Sequence, residues 1–100
     1  MITNSSKVLR ALLMAMTEGD LPTVEVEWRP EYNSPLQDDR PAMLMLKQAN
    51  SGQVVLFWHD GLERLAEVLG AAASPAMAQR SYRATIVRAG KTLRATAIRS

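Results

Sequence analysis

Apolar residues recur at helical spacing near the start of the chain, where Val8, Leu9, Leu12, Leu13 and Met16 form one stripe. The spacing predicts a helix over about 5–18. Asn4 or Ser5 can cap its start, Gly19 can end it and Pro22 bars its continuation. The period then changes to two. Val24, Val26 and Trp28 alternate with Glu25, Glu27 and Arg29, which predicts a half-buried strand over 23–29. Pro30 ends it and opens a long proline-rich loop over about 30–41, displaying Tyr32 and Leu36.

The segment 42–48 mixes helix formers with an apolar run, but Asn50-Ser51-Gly52 reads as a hairpin turn before the β-rich stretch 53–58, so 42–48 is expected to be a strand. Pairing Ala49 with Gln53 would set Leu46 opposite Leu56 and Met45 opposite Phe57. Such a hairpin has Leu44, Leu46, Leu56 and Trp58 on one face and Met43, Met45, Val55 and Phe57 on the other. Both faces then need cover, from helices on opposite sides or from a second copy of the chain.

Asp60-Gly61-Leu62-Glu63 resembles a capping box ahead of a helix with Leu62, Leu65, Ala66 and Leu69 on one face, closed by Gly70. A connector over 71–79 leads to a last hairpin over about 81–99, expected to turn at Ala89-Gly90 with Arg88 paired to Lys91. Ile86 would then face Leu93, Ala84 would face Ala95 and Tyr82 would face Ala97. The expectation is one α+β domain over 1–100, a five-stranded, mainly antiparallel sheet with two helices in the order α-β-β-β-α-β-β.

Charge changes this picture. The first 67 residues hold six Lys or Arg against ten Asp or Glu, and the last 33 hold six against none. Arg80, Arg83, Arg88, Lys91, Arg94 and Arg99 therefore put the positive charge of a chain with net +2 on one short element. A basic two-stranded ribbon fits a DNA groove, and its threonines can reach phosphate oxygens. The competing reading is internal: the ribbon lies beside the acidic strand, with Glu25 and Glu27 facing Arg83 and Arg94.

The remaining chemistry is sparse. No cysteine is present, which excludes disulfides, thiolate metal sites and a cysteine nucleophile, and suits a reducing compartment such as the cytoplasm. The apolar run 8–16 is too short to span a bilayer and lacks the features of a secretory signal. His59, the one histidine, has no nucleophile motif around it, and Asp38-Asp39 lacks further ligand spacing. Catalytic residues, metal ligands and cofactors are therefore not expected.

The sequence points to a small non-enzymatic accessory protein that binds nucleic acid with low sequence specificity through the basic hairpin, as a homodimer. The alternative is a protein–protein interaction module, adaptor or inhibitor, using that hairpin against an acidic surface or using the 30–41 loop. Met43, Met45, Phe57, Trp58, Tyr32 and Leu36 are its candidate interface.

Overall fold

Alternation in the second segment is realised residue for residue. Strand β1 runs Thr23–Arg29, with Val24, Val26 and Trp28 buried and Thr23, Glu25 and Arg29 exposed. It occupies the centre of a five-stranded antiparallel sheet of order β3-β2-β1-β4-β5, where β2 is Met43–Lys47, β3 Gln53–Leu56, β4 Tyr82–Ala89 and β5 Thr92–Arg99. Helices α1, Ser5–Met16, and α2, Gly61–Leu69, complete the expected α-β-β-β-α-β-β order. This computed structural model describes residues 5–18, 23–33, 35–36, 39–48, 52–71 and 79–99, with only the backbone at 5 and 96–99. The expected cap at Asn4, the stop at Gly19 and Pro22, the turn residues Asn50 and Ser51, the pairing of Ala49, Asp38 and most of the 71–79 connector lie outside those residues.

Both helices cover the same face of the sheet and pack against each other. Leu9 and Leu13 of α1 and Leu62 and Leu65 of α2 meet Val24, Val26, Trp28, Leu44, Leu46, Ile86 and Leu93 in one core. Burying each such leucine or valine contributes about 1.5–3 kcal/mol before conformational entropy is charged against it. Val8 departs from the expected stripe. It sits on the flank of α1 and is 43% exposed. Between the helices, the Ser6 hydroxyl donates to Glu67 Oε2 at 2.9 Å.

Of the two ways of covering both faces, that by helices on opposite sides is ruled out, since both helices lie on one side. Register explains why one layer suffices. Met43 and Met45 share the uncovered face with Glu27 and Arg29 of the adjoining strand, so that face is only partly apolar and its methionines are half-buried among charged side chains.

Two registers also differ from expectation. In β2–β3, Leu44 faces Leu56, Met45 faces Val55 and Lys47 faces Gln53. Five residues, 48–52, thus lie between the last paired residues. A shift of two preserves the pleat, so each side chain keeps its expected face. Strand β3 ends at Leu56, and Phe57 and Trp58 lie beyond it. In the last hairpin Ala89 pairs with Thr92, so the turn is Gly90-Lys91. Gly90 adopts φ 64°, the left-handed conformation that a tight hairpin turn requires and that costs glycine least. Arg88 then faces Leu93 and Ile86 faces Ala95, and an irregularity between Thr85 and Ile86 places Ala97 opposite Thr85 and Ile98 opposite Ala84.

The capping box at 60–63 does not form. Asp60 is the N-cap of α2, but its carboxylate makes no cap hydrogen bond. It instead accepts from Arg64, with Nε at 2.8 Å from Oδ1 and Nη2 at 2.8 Å from Oδ2. The helix closes as expected at Gly70, where Gly70 N–H donates to Glu67 O and Ala71 N–H to Ala66 O.

Candidate interaction surface

The face of the sheet away from the helices carries the candidates Met43, Met45, Arg83 and Arg94. Across it run Met43 and Arg29 at one end, with Phe57 beside them just past β3, then Val55, Met45, Glu27 and Arg83, then Gln53, Lys47, Glu25 and Thr85. The apolar side chains lie towards β3, the carboxylates on β1 with Arg29 at its end, and Arg83 and Arg94 on β4 and β5.

The basic hairpin is docked, not projecting. Arg10 of α1 donates from Nη2 to Lys91 O at 2.7 Å, at the turn. Arg88, half-buried, returns the contact: its Nη1 donates to Met14 O at 3.2 Å and its Nε to Gly90 O at 2.8 Å. A cation on a carbonyl of the last turn of α1 also opposes the negative end of the helix dipole. Arg83 is answered by the acidic strand. It faces Glu27 in register, and its Nε lies 3.1 Å from Glu27 Oε1. Arg29 Nη2 reaches Glu27 Oε2 at 3.1 Å. Both arginines are exposed and share the one Glu27 carboxylate, so each pair contributes under about 1 kcal/mol and their charge is only partly offset.

Internal charge compensation thus holds for Arg83. It does not hold for Arg94, which sits one strand further out, opposite Val87, while Glu25 lies between Thr85 and Lys47. Arg80, Lys91 and Arg94 are exposed, and no side-chain ion pair joins them to an acid among the described residues. Arg99 lies opposite Arg83 in the backbone register of β5.

The 30–41 loop continues the β1–β2 hairpin. Tyr32 N–H donates to Arg40 O at 2.9 Å and Arg40 N–H to Tyr32 O at 2.7 Å, in phase with the strand pairing. Pro30 and Pro41 lack the donors that would make the ladder continuous. This bridge brings the loop to the end of the sheet. There Arg29, Pro30, Tyr32, Arg40, Pro41, Met43, Phe57 and Ser81 line a shallow groove. Phe57 is 65% exposed and Tyr32 55%.

Of the six interface candidates, three meet in this groove: Tyr32, Met43 and Phe57. Met45 lies one row inward. Leu36 stands at the loop tip, 86% exposed. Trp58 packs against the core instead, with the Arg64 guanidinium 5.4 Å from its ring centroid. The Asp60 carboxyl beside Arg64 is pushed up by burial, but the hydrogen bond and charge of Arg64 outweigh that and hold it below the ordinary carboxylate range.

Sequence reasoning missed the Arg10 and Arg88 contacts, because each joins a side chain to a backbone carbonyl on a remote element. The paired prolines at 30 and 41 were the available signal that the loop is an interrupted hairpin. Among the described residues no group of three His, Cys, Asp or Glu could hold a metal ion, and no helix is long and apolar enough to cross a membrane. Comparison with protein-family models, curated proteins and solved structures finds no match to this chain.

Proposed function

We propose that this protein is a non-enzymatic interaction module that holds a partner protein on the sheet corner formed by Tyr32, Met43 and Phe57, flanked by Arg29 and Arg40. The observation that supports it is the convergence of two large exposed aromatic side chains on one groove. Aromatic and arginine side chains are the types that carry binding energy at protein interfaces, the aromatics because they bury large area with few rotatable bonds and arginine because its planar guanidinium offers several donors. The loop bridge holds Tyr32 at the groove before a partner arrives, which lowers the entropic cost of binding. A reducing compartment such as the cytoplasm suits the cysteine-free chain. The homodimer expected from the 43–58 hairpin is compatible with this corner, which leaves the outer side of β3 clear.

The experiment is affinity capture with the purified chain and with a Tyr32→Ser/Phe57→Ser variant, followed by reconstitution with the purified captured protein. The reading expects a binding partner whose Kd rises by about a hundredfold or more in the double variant. Equal affinity for both proteins would overturn it.

A second reading, nucleic-acid binding, rests on Arg80, Lys91 and Arg94, which are exposed away from the carboxylates that answer Arg83. Three phosphate contacts would give log K a slope of about −2.7 against log salt. Binding to generic duplex and single-stranded oligonucleotides across a salt series tests it, and no binding at low salt removes it.

A further inference from the structure

The sheet has two outer strands, and they differ in chemistry. Strand β5 follows Lys91 and carries Arg94 and Arg99, and its pairing with β4 is irregular between Thr85 and Ile86. Charged side chains and irregular pairing are the devices that keep an edge from joining another strand. Strand β3 has neither. Its sequence Gln53-Val54-Val55-Leu56 is uncharged, it pairs with β2 in regular register, and its outer side has no strand partner among the described residues. Val54, Val55 and Leu56 are all half-exposed there. Val54 and Leu56 line the margin of the core, and Val55 lies on the open face, so both faces of the strand end in unfinished apolar surface.

We propose that two copies of this chain join through β3, pairing antiparallel about Val55 into one sheet that runs through both. Self-pairing satisfies the outward backbone groups of both strands at once. It places Val55 of one copy against Val55 of the other and Val54 against Leu56, with no charge facing a like charge. A two-fold arrangement closes after one step, so it yields a dimer and not a fibre. Joining through β5 would instead gather Arg94 and Arg99 from both copies. A foreign strand could meet β3 by backbone pairing, but this edge offers no charge by which to select one, whereas a second copy brings the same uncharged edge. Four residues make a small contact, so the dimer forms in the micromolar range.

The test is solution mass by sedimentation, from micromolar to several hundred micromolar, on the parent chain, Val55→Lys, Val55→Thr and Arg94→Asp, with circular dichroism on each. The parent should reach twice its 11.0 kDa. Val55→Lys should raise the dimer Kd by at least about tenfold. Val55→Thr, which keeps a β-branched side chain, and Arg94→Asp should stay dimeric. Because the edge is uncharged, the Kd should hold when salt rises from about 0.05 to 0.5 M, a range that shortens the screening length several-fold. A parent chain monomeric throughout, a dimer unaffected by Val55→Lys, or one lost in Arg94→Asp overturns the proposal. If Val55→Lys fails to fold, a single cysteine at Gln53 or Val55 in this cysteine-free chain replaces it. Oxidation should cross-link one of these two between copies, and a cysteine at Arg94 should not cross-link. Failure at both β3 positions also overturns the proposal.

Discussion

Gly61 shows how closely one position can be specified. A Cβ there would lie 2.9 Å from Trp28 Cζ3 and 3.4 Å from Leu44 Cβ. Trp28 is 1% exposed and Leu44 fully buried, so neither can move aside cheaply. Gly61→Ala should destabilise the fold by about 1–3 kcal/mol in urea denaturation, although alanine is the better helix former. Arg88 and Lys91 make a complementary pair. Arg88→Ala strips a charged donor from two backbone carbonyls and should cost about 1–2 kcal/mol, whereas Lys91→Ala should stay within about 0.5 kcal/mol. Parallel urea curves for the two variants check this. In the sequence both are cations near the turn of one hairpin. What separates them is Met14, whose carbonyl is supplied by an element 74 residues away.

At the scale of elements, β1 and the helices were legible because each carries its own period. The β2–β3 hairpin has no alternation, being apolar on both faces, and was legible instead from its turn residues and the β-rich stretch 53–58; α2 ends where Gly70 allows it. Registers were less legible. The β2–β3 offset depends on how many residues close the turn, and a shift of two leaves the hydrophobic pattern unchanged, so the pattern cannot choose between them. The start of α2 shows a different competition. Asp60 had two acceptable uses, backbone N–H or Arg64, and the guanidinium took it. Since its folded pKa lies below the unfolded value, the stability from this pair is present above the unfolded pKa and is lost as pH falls through the lowered folded one. Asp60→Asn should therefore cost under about 1 kcal/mol near neutral pH, and the difference should shrink away as pH falls through the lowered folded pKa. Paired thermal melts across that range would show it.

At the scale of the whole molecule, one covered and one open sheet face decide what the chain can do. The covered face was legible from the inward residues of each element. The open face was not, because its character depends on strand order. Only the placing of β1 between β2 and β4 sets Glu27 beside Arg83 and leaves the methionines and Phe57 at a separate corner. That order turns an apparent basic arm into a docked and partly compensated hairpin, and leaves Tyr32 and Phe57 exposed at the corner on which the proposed function rests. The most direct test is photo-crosslinking in the producing cell, with a benzophenone amino acid placed singly at Phe57, Tyr32 or Arg94. The account predicts one discrete protein adduct from positions 57 and 32, distinct in mass from the self-adduct of the purified chain. Adducts confined to position 94, or nucleic acid recovered there with nothing at 57, would contradict it.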